Sequence, residues 1–101
     1  MRSKDLNRRA LLRQSVEYLE VDVELDKARL AGLRQQRNAT MCILQKKSTE
    51  FSHWNEVQVK RIHGRFASES AQIHAKVREI ERRTQMLLEY REELEELGEG
   101  D

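Results

Sequence analysis

Apolar residues recur at every seventh position from Val59 to Leu94: Val59, Phe66, Ile73, Ile80, Leu87 and Leu94. Seven residues are almost two helical turns, so this stripe returns to one face and suits a helix that lies along another helix. Ile62, Val77, Tyr90 and Leu97 widen the stripe, while Lys76 and Arg83 fall where a strict two-position seam wants apolar side chains. An upstream stretch repeats the pattern through Leu12, Val16, Leu19, Val23, Leu30 and Leu33. It is interrupted at Asp26, fades at Arg37 and Thr40, and returns through Met41, Ile43 and Leu44. These interruptions predict an apolar face that wanders, not a long regular zipper. The chain has no proline, so nothing in it forbids long helices.

Between the two stretches lies Ser48-Thr49-Glu50-Phe51-Ser52-His53-Trp54-Asn55-Glu56. Ser, Thr and Asn side chains compete for backbone hydrogen bonds and favour helix starts over interiors. Asn55 followed by Gln58 has the spacing of a capping box, and Ser52 is a second candidate cap. A turn here leaves two arms of nearly equal length, about 60–65 Å each at roughly 1.5 Å per residue. Competing breaks are Gly32 with Asn38 and Thr40, or Gly64 with Ser68 and Ser70, which would give three shorter helices. Gly98 and Gly100 are expected to end the last helix, with a frayed tail behind them.

Charge chooses between orientations. The net charge is only +1, but it is laid out in blocks. Residues 1–13 are basic, residues 14–33 acidic, residues 34–65 basic and the last thirteen acidic. Folding near Ser52 sets the basic start beside the acidic end, and the acidic block around Glu17 to Asp26 against Arg78, Arg82 and Arg83. Two parallel copies would set like beside like. A basic N-terminus and an acidic C-terminus also oppose the macrodipoles of their own helices, a conflict that antiparallel neighbours relieve. Antiparallel packing is therefore favoured, and an antiparallel dimer of unbroken helices meets the same charges.

The fold expected is all-α: an antiparallel helical hairpin of coiled-coil type that dimerises or joins a larger helical bundle, with a three-helix bundle as the alternative. Its single domain has one arm at about 6–47, a turn at about 48–55, a second arm at about 56–97 and a tail at 98–101. The helix-packing residues are Leu12, Val16, Leu19, Val23, Leu30, Leu33, Val59, Ile62, Phe66, Ile73, Val77, Ile80, Leu87 and Leu94.

Charged residues make up 37% of the chain against 38% hydrophobic, which is too polar for a thick globular core and too regular for simple disorder. A chain this small gains stability from oligomerisation or a partner. Met41, Cys42, Ile43 and Leu44 are apolar on more than one helical face, so a single seam cannot hide them all. Met41, Ile43, Leu44, Phe51 and Trp54 are the candidate oligomer or partner contacts. Arg34, Arg37, Lys46, Lys47, Lys60, Arg61 and Arg65 would gather at the turn end as a basic patch for an acidic surface or a phosphate backbone. The bland alternatives are a solvated charged face and a Trp54 that packs over the turn.

No constellation for chemistry stands out. His53, His63 and His74 lack the i, i+4 spacing that puts two metal ligands on one face, and Cys42 has no second cysteine. Glycine-rich phosphate loops and nucleophile motifs are missing from the sequence. The function expected is a non-catalytic helical interaction subunit, whether adaptor, scaffold or chaperone-like, bound to protein partners as a homo-oligomer or a hetero-complex. A small nucleic-acid or anionic-surface binder working through the basic middle is the alternative. A basic-region zipper fits poorly, because Glu50, Glu56 and Gly64 separate Lys47 from the main stripe and the pI is 7.9. No cofactor, metal, small-molecule substrate or membrane span is expected. The lone cysteine and the lack of an apolar leader point to an intracellular location, cytoplasmic or nuclear.

Overall fold

The computed structural model describes residues 3–46 and 53–99. Among them the protein is all-α: α1 (Ser3–Lys46) and α2 (Glu56–Glu99) pack against each other as a helical hairpin. Both helices are 44 residues long. Gly32, Asn38 and Thr40 lie inside α1, and Gly64, Ser68 and Ser70 inside α2, so none of the competing breaks is used. A mid-helix glycine costs only about 1 kcal/mol relative to alanine, less than the apolar burial on either side of it stabilises. Neither glycine adopts a positive φ, and a Cβ at Gly32 or Gly64 would meet nothing within 4 Å. Gly64→Ala is accordingly expected to stabilise the fold by about 0.5–1 kcal/mol, read as a higher midpoint in thermal denaturation followed by circular dichroism. A lower midpoint would mean that the glycine serves the fold.

The start of α2 follows from its sequence. The Gln58 amide donates to Asn55 Oδ1 at 3.0 Å, and the Asn55 amide donates to Gln58 Oε1 at 2.9 Å, a reciprocal capping box with asparagine as the cap. Val59 N–H donates to the Asn55 carbonyl at 3.1 Å and opens the helical ladder. Trp54, half-buried, stands just before the cap, and Val59 is the fourth helical residue. These are the two positions of a hydrophobic staple, which fixes the angle at which the chain enters a helix. Ser52, the other candidate cap, lies outside the described residues, as do Lys47, Phe51 and most of the expected turn.

At the other end α2 runs through Gly98 to Glu99, and Gly100, the second expected stop, lies outside the described residues. Arg9 Nη2 donates to the Leu97 carbonyl at 2.6 Å. A cation beside the negative end of a helix dipole thus satisfies one of its last carbonyls.

Internal contacts divide the chain into two units, Met1–Lys27 with Arg78–Asp101, and Ala28–Val77. In the first, Leu12, Val16, Val23 and Leu87 are buried, with Leu19, Ile80, Tyr90, Leu94 and Leu97 half-buried beside them. In the second, Leu30 and Ile73 are buried, and Leu33, Val59, Ile62, Phe66 and Val77 half-buried. The seam is more regular than the sequence pattern alone implies. Every position reached by alternating steps of three and four from Leu12 to Leu44, and from Val59 to Leu97, is buried or half-buried. Asp26, Arg37, Thr40, Glu69, Lys76 and Arg83 occupy those positions too. The face does not wander; polar residues sit in it.

Candidate interaction surfaces

Polar side chains in an apolar seam need partners, because a buried unpaired group costs the full loss of its hydration. In the first unit Asp26, 1% exposed, accepts a hydrogen bond and ion pair from Arg83, whose other nitrogen lies 2.7 Å from Glu79. The hydrogen bond to Asp26 holds the Arg83 guanidinium above arginine's ordinary range; partial burial opposes this, and the charges of Asp26, Glu79 and Asp22 add to it. A raised folded value means that the arginine's contribution is full below its unfolded value and is lost only as pH climbs through the folded one. Arg83 therefore stays charged across the neutral range, and its end of the pair is no pH switch.

In the second unit Thr40 is fully buried and its hydroxyl lies 2.6 Å from Oε1 of Glu69, itself 6% exposed. The same hydroxyl is 3.2 Å from the Gln36 carbonyl. A hydroxyl has one proton, and the shorter, charge-assisted contact takes it. The second carboxylate oxygen of Glu69 lies 3.6 Å from Arg65 Nε, one turn earlier. Both oxygens of a carboxylate inside the seam are thus engaged.

Exposed ion pairs follow the charge blocks. Arg8 Nη2 meets Glu93 at 2.6 Å, and Arg91 Nη2 meets Glu20 at 2.6 Å. The basic start lies beside the acidic end, and the acidic block of α1 meets arginines of α2. Pairs this exposed stabilise little, about 0.2–1 kcal/mol each, so their value lies in choosing direction.

The expected contact residues divide by position. Leu44 is a half-buried seam position and Ile43 is half-buried next to it, whereas Met41 is 37% exposed and Cys42 is exposed. Phe51 lies outside the described residues. Of the basic set, Arg34, Lys46, Lys60, Arg61 and Arg65 are exposed and Arg37 is half-buried in the seam; Lys47 is outside the described residues. Residues 28–77 hold nine Lys and Arg against three Asp and Glu, and the rest of the chain ten against fifteen. The second unit is thus a strongly basic segment and the first an acidic one.

One surface escapes a reading aimed at the seam. On α1 in the first unit, Leu11, Tyr18, Val21 and Leu25 are 61%, 64%, 58% and 51% exposed. Leu11, Tyr18 and Leu25 are seven residues apart and Val21 falls between them, so they form a second stripe with the period of the first. They lie on the outward side of α1, Val21 opposite the seam and the other three on the flank beside it. The signal was present in the sequence, but the longer run of seam residues overlaid it.

The same unit has an open groove of about 480 Å³ lined by Glu20, Val23, Glu24, Lys27, Thr84, Leu87 and Arg91. Its charged groups are the ion-paired Glu20, Arg91, Glu24 and Lys27. No group of three or more His, Cys, Asp or Glu side chains among the described residues is placed to hold a metal ion. Among the described residues no helix is long and apolar enough to cross a membrane. No family model, curated protein or solved structure matches the chain.

Proposed function

We propose that this chain is a non-catalytic helical subunit whose work is protein–protein assembly through its helix faces. One observation carries the reading: the buried polar side chains of the inner seam pair within the chain, Asp26 with Arg83 and Thr40 with Glu69, yet α1 shows four more large apolar side chains at helix-pairing spacing. Isolated exposed apolar residues need no explanation, but a periodic row of them marks a surface made for another helix. Met41 with Trp54 is a second proposed contact; Ile43 and Leu44 are poor probes of it because both are half-buried.

A photo-crosslinking residue at Val21 in the full chain, used in cells, tests the proposal. A discrete protein adduct, of this chain or of another, is expected at Val21 and not at exposed Gln35. Equal, diffuse labelling at both positions would contradict assembly through this face.

A second reading is favoured by the nine-to-three excess of basic residues in 28–77: binding of a polyanion through Arg34, Arg61 and their neighbours. Neither Arg34 nor Arg61 has an ion pair among the described residues. Such binding weakens steeply with salt, since it works by releasing counterions. A gel shift with duplex DNA at two salt concentrations separates the readings: polyanion binding predicts a shift at the lower salt that is lost at the higher, and assembly predicts none at either.

A further inference from the structure

We propose that the Leu11–Leu25 face of α1 is a self-association surface, occupied by the same face of a second copy running antiparallel. This rests on the assembly reading and names its partner.

The stripe calls for a helix. Its residues advance by three and four, so only another helix offers knobs and holes at the same spacing along roughly 20 Å of axis. Which helix, and in which direction, follows from charge. In α1 residues 8–13 hold Arg8, Arg9 and Arg13 and no acidic side chain, the first two engaged by α2 and Arg13 left over, and residues 14–26 hold five acidic side chains and no basic one. This segment is therefore a + block followed by a − block. Laid antiparallel on itself, each + block meets the partner's − block, and it does so twice by symmetry. Laid parallel, like meets like along the whole stripe.

Side-chain positions agree. With Leu11 of one copy against Leu25 of the other, Tyr18 meets Tyr18 at the two-fold axis and Arg13 falls alongside Asp22 and Glu24 of the neighbour. Arg13 and Glu17 have no ion pair among the described residues, so the α1 surface holds charge that the hairpin leaves unused. The acidic C-terminal segment of α2 does not oppose the pairing, because it packs on the seam side of α1, away from the stripe. A two-fold interface of one patch with itself is also the commonest way soluble chains pair.

The surface is small. Four side chains over about four turns fall short of the roughly 800 Å² per partner of a standard interface, so a weak dimer is expected, half-formed at about 10–100 µM.

Sedimentation equilibrium of the full chain from 1 µM to 1 mM tests this, with Tyr18→Gln/Leu25→Gln as the variant. Both positions are exposed and glutamine is a good helix former, so helicity and melting midpoint at low concentration should not change. The expected result is a mass that doubles with concentration in the natural sequence, and a midpoint raised roughly tenfold or more in the variant. A nitroxide at Glu24→Cys, in a Cys42→Ser background, reports direction. An antiparallel pair puts the two labels about 20 Å apart and a parallel pair about 10 Å apart. A chain that stays monomeric to 1 mM overturns the proposal, as does a dimer indifferent to the Gln variant or a parallel distance. Monomeric behaviour together with a specific Val21 crosslink to a different protein would sink self-association and leave assembly standing.

Discussion

Thr40→Val should lower stability by about 1–3 kcal/mol, although the side chain barely changes in size. The variant deletes the hydroxyl that donates to Oε1 of Glu69 and leaves that oxygen inside the seam. The contact of Arg65 is to the other oxygen, at 3.6 Å. The cost is the desolvation of a charged acceptor with no donor, which exceeds the net value of the lost hydrogen bond. Adding Glu69→Leu removes the stranded carboxylate, so the double variant should recover the loss and reach or pass the parent. Urea denaturation of the four proteins reads this directly as a double-mutant cycle. Additive losses would mean that the two residues do not depend on each other.

Ile73→Ala is expected to cost more, about 2–5 kcal/mol, from lost transfer energy and the cavity left behind. Ile73 is 4% exposed and lies in the same unit as the Thr40–Glu69 pair. A two-helix seam can close partly over a missing side chain, which favours the lower end of that range. Val57→Ala is the matched control: at 60% exposure it should change stability by less than about 0.5 kcal/mol. Reversal of that order would show that the buried face had been assigned to the wrong side of α2.

Much of this was legible in the sequence. The seven-residue stripe from Val59 to Leu94 marks the helix and its inward face, and Asn55 with Gln58 marks where α2 begins. The charge blocks gave the direction of pairing, now seen as Arg8 against Glu93 and Glu20 against Arg91. The seam's polar positions were harder. Read one helix at a time, Asp26, Thr40 and Arg83 are flaws in a hydrophobic pattern. Their meaning appears only when two helices are aligned, because each satisfies a group on the other strand. One signal was available: Asp26 and Thr40 are two heptads apart, and so are Glu69 and Arg83, in the opposite order. A register that matches the first pair matches the second as well. The partner of the last carbonyls was not legible: Arg9, close to the opposite end of the chain, donates to the Leu97 carbonyl, a contact that only the hairpin brings together.

Buried polar pairs in a helical seam are valued for the pairing they permit. A slip by one residue would take Asp26 out of line with Arg83 and strand Glu69 without Thr40. Both pairs could also form between two chains, in a dimer of unbroken helices, and the hairpin is the claim that they form within one. The deciding measurement is the distance between positions 7 and 96 of a single chain. Asn7 and Glu96 are exposed, and Asn7→Cys with Glu96→Cys in a Cys42→Ser background carries two nitroxides and no third thiol. Dipolar spectroscopy in a tenfold excess of unlabelled chain should give one short separation, about 10–20 Å, unchanged by the dilution. Loss of that short distance on dilution, leaving labels about 130 Å apart on one unbroken helix, would contradict the hairpin.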